Sequence, residues 1–311
     1  MKILLGQPYS FCQTGRRGNQ EDARYPNEDV PMEQPCYYVV CDGVGGEEAG
    51  EIASSTVCEA MGSYMSQHFD ASSFTVEDFS NALDFAYSAL YKKGKKYTSE
   101  MATTLTFACF HENGVLAAHI GDSRIYQIRP EVGIMYRSDD HSLVNAMVHS
   151  GNMTPEEAIS NPQSNIITRC MECVSHKEER AMATVININD IEPGDYFFLC
   201  TDGVMDKLND EDIVSILREN IEDEKKCQVF AESCSDSSDN NTAFLIPIED
   251  VIKNDNDDFV EDKSVLVSSD TKVLSGFNGT TDVMASSVPT LLDKIKRIID
   301  TIIIWIRASR L

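Results

Sequence analysis

Five short acidic stretches hold the residues of this chain best suited to chemistry: Glu21-Asp22, Asp42-Gly43, Gly121-Asp122, Asp202-Gly203 and Asp239-Asn240. Two of them share one design. Tyr37-Tyr38-Val39-Val40-Cys41 runs into Asp42-Gly43-Val44-Gly45-Gly46, and Tyr196-Phe197-Phe198-Leu199-Cys200 runs through Thr201 into Asp202-Gly203-Val204. Apolar and aromatic runs of this length read as buried strands. An Asp at such a strand end, with glycine behind it, can project a carboxylate while the backbone comes close to a metal ion or a phosphate. Taken singly, each device reads equally well as a strand-to-helix turn whose Asp caps the helix. Several carboxylates meeting at one place would repel one another and would be tolerated only with bound cations. The candidate ligands are all oxygens, which suits Mg²⁺ or Mn²⁺ rather than zinc, so the pattern suggests a multi-metal hydrolase.

Positioning these groups requires strands that end together. Residues 1–12 could form a first strand, and the polar segment Thr14 to Asp22 reads as a loop or strand end. A helix is expected over 47–68. A second helix, through about Tyr91, is expected behind a Thr75/Asp78 capping box. Strands are expected at 103–110, 115–120, 124–128 and 133–136, with Asn113-Gly114 as a hairpin turn. Helical pattern returns over 140–160, broken at Gly151. Strands at 184–189 and 196–200, helices at 210–219 and 224–235, and a last strand at 242–248 complete the core. Strands and helices come in blocks, which favours α+β with antiparallel sheets over a doubly wound parallel fold.

The 311 residues allow one large domain or two small ones, and 42% hydrophobic content supports a sizeable core. With 51 acids against 26 bases the formal net charge is −25. Such a chain repels nucleic acid and anionic membrane, so a nucleic-acid role is excluded as a reading. The ten cysteines are scattered, several inside apolar runs, which reads as small buried hydrophobes in a reducing compartment. The lone Cys170-Met171-Glu172-Cys173 has no second pair to complete a zinc site. Met1 to Pro8 is too short in apolar length for a signal peptide, and no run reaches a membrane span, so a cytoplasmic protein is expected.

The motifs, in order, resemble those of the metal-dependent serine/threonine protein phosphatases of type 2C, in their bacterial form. The resemblance is carried by Thr14 to Asp22; by Val39 to Gly46, with Ala49-Gly50-Glu51 and Ala53-Ser54; by Ala102-Thr103-Thr104-Leu105; and by Gly121-Asp122-Ser123-Arg124. It continues in Asp140-His141-Ser142 with Gly151 to Thr154, in Thr201-Asp202-Gly203, and in Ser238 to Thr242. Each motif is short, but seven in the right order are specific. The resemblance covers about residues 1–248. It implies a four-layer α-β-β-α sandwich of two antiparallel sheets flanked by helices. It implies hydrolysis of phosphoserine and phosphothreonine in phosphorylated proteins, with two Mn²⁺ or Mg²⁺ ions and a third, weaker site. Asp42 would bridge the two ions; the Gly43 carbonyl and Glu21 would hold the second, and Asp202 and Asp239 the first. Asp122 with Asp202 would make the third site, Asp22 would orient metal-bound water, and Asp206 matches a further acidic position near the metals. The bridging water would attack phosphorus in line with the leaving oxygen.

Arg17 matches the family's phosphate-binding arginine, whose planar guanidinium can clamp two oxygens at once. The neighbouring Arg16 reads as a solvated charge. Val44 stands where many eukaryotic members carry a general-acid His and bacterial members commonly carry Met, which leaves the leaving-group proton unassigned. His141 is a candidate donor, although a structural histidine is the plainer reading. Ala102 replaces a more usual glycine. The rival to an enzyme is a catalytically weak phosphoprotein-binding regulator of the same fold, disfavoured because Glu21, Asp42, Asp202 and Asp239 are all present.

Three segments are expected: a catalytic domain over 1–248, an acidic disordered linker over 249–288, and an amphipathic helix over 289–311. In that last segment Leu291, Leu292, Ile295, Ile298, Ile299, Ile302, Ile303 and Ile306 recur at helical spacing beside Lys294, Lys296, Arg297, Arg307 and Trp305. Its own domain, a partner or a membrane surface are the three competing occupants of that stripe.

Overall fold

The computed structural model describes residues 1–27, 36–45, 48–72, 74–97, 101–159, 161–252 and 265–267. In chain order the strands and helices are β1 (Lys2–Leu5), β2 (Tyr9–Gln13), β3 (Asp22–Tyr25), β4 (Tyr37–Val44), α1 (Glu48–His68), α2 (Val76–Gly94), β5 (Ala102–Thr103), β6 (Leu105–His111), β7 (Gly114–Ile120), β8 (Arg124–Arg129) and β9 (Gly133–Arg137). There follow α3 (Leu143–His149), α4 (Pro155–Ile159), β10 (Met171–Glu172), β11 (Ala183–Ile188), β12 (Tyr196–Cys200), α5 (Asp202–Met205), α6 (Asp210–Arg218), α7 (Asp223–Cys234), β13 (Asn241–Ile252) and β14 (Val265–Val267).

Among the described residues the strands form two antiparallel sheets. One runs β1-β13-β12-β8-β9, with β2 also on β13; the other runs β10-β5-β4-β6-β7-β11-β14, with β3 on β4. Side-chain alternation along β4 shows how they stack. Tyr37, Val39 and Cys41 pack with Ala53 and Met61 of α1 and Leu83 of α2. Tyr38 and Val40 point the other way and pack against Phe197, Leu199, Phe244 and Ile246 of the other sheet. The far face of that sheet carries Tyr126, Phe198 and Cys200 against Ile213 and Leu217 of α6 and Phe230 of α7. The result is four layers, α-β-β-α. Central strands buried on both faces need apolar residues at every position, which is why they read as continuous runs rather than alternating ones. Truncating the fully buried Phe107 or Phe197 to Ala is expected to cost about 3–5 kcal/mol.

Local signals hold where expected. Thr75 caps α2 in a reciprocal box with Asp78, and β6 and β7 form a hairpin at Asn113-Gly114, with His111 opposite Gly114. Two expectations change. The single strand over 1–12 is two strands, interrupted at Gly6-Gln7-Pro8 and laid end to end along β13, with Leu5 opposite Ile248 and Tyr9 opposite Leu245. Proline cannot donate to a ladder, so the strand breaks there. Parts of the stretch 249–288, expected as an acidic linker, are strand. β13 continues to Ile252 by pairing with β1, and Val265–Val267 pairs with β11 inside the expected linker. Tertiary pairing outweighs a polar composition at those positions. Gly46, Glu47 and the expected helix over 289–311 lie outside the described residues. No described helix is long and apolar enough to cross a membrane.

Candidate active site

The acidic stretches meet at one end of the two sheets. Asp22 on β3 stands directly opposite Asp42 on β4. Residue 42 continues the Tyr38-Val40 side of the strand, so its carboxylate faces the space between the sheets. Its backbone is fixed by β5–β6: the Asp42 N–H donates to Thr104 Oγ1 at 2.9 Å, and its carbonyl accepts from the Thr104 N–H and the Thr103 hydroxyl, both at 2.8 Å. On the other sheet, the Thr201 hydroxyl donates to Asp22 Oδ2 at 2.9 Å while accepting the Thr242 N–H at 3.0 Å. One hydroxyl thus links β12, β13 and the Asp22 carboxylate. Asp202 follows as the first residue of α5.

Asn240 ties the remaining segments together. Its Oδ1 accepts the Glu21 N–H at 2.7 Å, and its Nδ2 donates to the carbonyls of Thr14 and Asn19, both at 2.9 Å. The loop from Thr14 to Glu21 is therefore pinned to the turn that carries Asp239. Asp239 Oδ2 accepts from Arg17 Nη2 at 2.6 Å, and the Arg17 side chain is 58% exposed. Arg16 instead pairs with the exposed Asp236 at 3.1 Å, which supports reading it as a solvated charge. Two glycines allow a close approach. A Cβ on Gly50 would sit 2.8 Å from Glu21 Oε2 and 2.9 Å from the Gly43 carbonyl oxygen, and a Cβ on Gly43 would strike the Gly50 backbone. The Glu21 carboxylate and the Gly43 carbonyl thus flank the same small space.

This crowding shows in proton affinities. Burial raises Asp42 well above the usual carboxylate range, and Asp22, Asp202 and Asp122 add to it. Burial lifts Asp22 to about 8 even though the Thr201 hydroxyl, donating to it, favours its charged form. Asp122 is raised to about 7 by burial and then by Asp202 and Asp140. Asp202 is raised to about 6 by burial and then by Asp239. Glu21 is raised by burial, against the pull of Arg17. Asp22 is buried, while Asp42, Asp122 and Asp202 keep partial exposure. Asp22 Oδ1 and Asp202 Oδ1 are buried without a hydrogen-bond partner. Like charges gathered with orphaned oxygens fit a cation, since a buried carboxylate oxygen without a donor is otherwise costly. Among the described residues no three His, Cys, Asp or Glu side chains stand in a finished metal cage. Oxygen-loving divalent ions do not need one, because one or two carboxylates plus waters and a carbonyl suffice.

His141 is structural. Its Nδ1 accepts the Gly121 N–H at 3.1 Å, its Nε2 lies 2.9 Å from Thr184 Oγ1, and its ring stacks on His119. Burial, followed by His119 and Arg169, pushes it down to about 2. Gly121 has φ +107, which lets the β7–β8 turn place Asp122 beside Asp202. Asp206 accepts the Ser238 hydroxyl at 2.6 Å and adds negative potential at Asp202. Val44 ends β4 opposite Ala102 and brings no donor. Local sequence gave no role to Asn240 or Thr201; the one available signal was that both adjoin a candidate aspartate.

A four-layer sandwich whose sheet ends present clustered carboxylates, with an arginine at the rim, defines a phosphatase of the α-β-β-α class. Residues 21–234 match the family model described as protein phosphatase 2C. Protein phosphatase PhpP of Streptococcus pneumoniae is 32% identical over 241 residues, covering 76% of this chain and 94% of that protein. The crystal structure of serine/threonine phosphatase Stp1 from Staphylococcus aureus superimposes with a TM-score of 0.68 at 30% identity, covering 80% of this chain and 98% of that one. The catalytic domain of PstP in complex with two manganese ions superimposes with a TM-score of 0.65 at 26% identity, covering 79% and 99%. This chain belongs to the protein phosphatase 2C family, and its activity is that of a serine/threonine protein phosphatase.

Proposed function

We propose that the chain hydrolyses phosphoserine and phosphothreonine in proteins with the help of two Mn²⁺ or Mg²⁺ ions. The observation that carries this reading is the pair of orphaned oxygens, Asp22 Oδ1 and Asp202 Oδ1, within a cluster of carboxylates whose proton affinities are raised. Asp42 would contact both ions, Glu21 and the Gly43 carbonyl one of them, and Asp202 and Asp239 the other. Asp122 with Asp202 would form a weaker third site. When bound, such ions polarise phosphoryl oxygens and make a coordinated water easier to deprotonate.

The remaining work falls to the chain. Arg17 lies at the rim, steadied by Asp239, with guanidinium N–H groups left over to grip phosphoryl oxygens. Asp22, held by Thr201, orients the attacking water through its free oxygen. Neither Val44 nor the committed His141 protonates the leaving oxygen, so that proton comes from water at the site. The phosphoprotein substrates would be products of kinases in the cytoplasm. No disulfide joins any of the ten cysteines, which suits a reducing compartment.

Asp202→Ala tests the assignment with a small aryl phosphate in Mn²⁺. Turnover should fall by about 100-fold or more, in line with losing a metal ligand, and the rise in melting temperature on adding Mn²⁺ should shrink. Near-normal turnover with an intact Mn²⁺ shift would refute it.

A further inference from the structure

Asp122 and Asp202 also line a cavity of about 970 Å³, at the upper end of the roughly 300–1,000 Å³ usual for ligand clefts. The cavity extends from the carboxylate centre between α3–α4 and the start of α6. Its two sides differ in chemistry. Val144 and Val148 of α3 and Ala158 of α4 give an aliphatic wall. Asp139, before α3, and Glu211, in the first turn of α6, give carboxylates.

The arginines in the cavity are already committed. Arg124 forks onto Asp140 with two contacts of 2.7 Å, and Arg137 meets Asp210 at 2.6 Å. Among the described residues the Asp139 carboxylate pairs with His149, 3.5 Å away, and both side chains are about two-thirds exposed. The cavity therefore offers an aliphatic wall beside carboxylates that no arginine or lysine among the described residues pairs with. A lysine or arginine side chain matches both surfaces, with its stem along the apolar wall and its head at the acids.

We propose that this groove selects phosphoproteins carrying Lys or Arg close to the phosphorylated residue, with Asp139 and Glu211 as the specificity-determining carboxylates. The inference rests on the phosphatase reading and adds a substrate class to it. The chain's net charge of −25 works in the same direction, drawing cationic segments toward a site whose phosphate ligand is itself an anion.

The test uses the full chain in Mn²⁺ with two phosphothreonine peptides that differ only in Arg or Glu at the flanking positions, and an aryl phosphate as control. The Arg peptide should be favoured by about five- to tenfold in kcat/KM, the size expected of one or two partly exposed ion pairs. In the double variant Asp139→Asn, Glu211→Gln the preference should largely vanish while aryl phosphate turnover stays unchanged. Equal kcat/KM for both peptides in the parent, or a preference that persists in the double variant, would overturn the inference and leave the phosphatase reading intact. Failure of the parent to turn over the aryl phosphate would overturn both.

Discussion

Asp22 and Asp42 are a directly paired couple on the β3–β4 ladder, two carboxylates face to face at the end of the inter-sheet core. Like charges directly opposite on one sheet face are destabilising, and these two sit where water cannot screen them well. A cation held beside them would relieve that repulsion.

That repulsion has a pH signature. The folded-state pKa of Asp22 is raised to about 8, so the folded protein retains a proton that the unfolded chain has released. Its stabilising contribution is full below the usual carboxylate range and is lost as pH rises through about 8; Asp122 and Asp202 act in the same direction at lower pH. In EDTA, Asp22→Asn should therefore gain melting temperature relative to the parent as pH rises from about 5 to about 8.5, by at least ~3 °C. Saturating Mn²⁺ should remove that advantage. Melting curves with the same pH slope for both proteins would contradict this.

Arg17 is the rim group whose loss should act on binding. Arg17→Ala should lower kcat/KM by about 10- to 100-fold, mostly through KM, since a charge-assisted hydrogen bond contributes about 1.5–3 kcal/mol. Arg17→Lys should recover only part of it, because an ammonium cannot fork onto two oxygens. Steady-state kinetics on a phosphopeptide decide the matter; unchanged KM and kcat would remove Arg17 from the phosphate site.

Gly50 lies inside α1, where alanine is ordinarily better by about 1 kcal/mol. Here an added methyl would press on Glu21 Oε2 and the Gly43 carbonyl. Gly50→Ala should raise the Mn²⁺ concentration for half-maximal activity by roughly tenfold, a typical effect of displacing metal-supporting groups, and should also lower the metal-free melting temperature, because the Gly43 carbonyl is backbone and must shift to admit the methyl. Manganese titration and thermal melts separate these effects. An unchanged Mn²⁺ requirement would show that the cradle is not used.

His141 tests the structural reading. Its imidazole stays neutral across the working range, pushed down to about 2 by burial. His141→Ala leaves the Gly121 N–H without its acceptor and should cost about 1–3 kcal/mol of stability. The shape of the kcat–pH profile should not change. Loss of one limb of that profile in the variant would make His141 an acid–base group after all.

Much of this was legible in the chain alone. Apolar runs that end in Asp-Gly, a hairpin at Asn113-Gly114 and a Thr75/Asp78 cap are local patterns, and local sterics and hydrogen bonding enforce them whatever surrounds them. Those patterns located the strands, the helices and the carboxylates, and the motif order pointed to the family. What the tertiary structure decided is which distant groups meet. Arg17 rests on Asp239, 222 positions away, and Thr201 holds Asp22 across 179 positions. Asn240 pins a loop from the other end of the domain. Pairing with β1 and β11 drew parts of an acidic stretch into strands. Periodicity and capping act within a few residues, whereas register and sheet stacking depend on contacts between segments far apart in the chain, which appear only once the two sheets have packed.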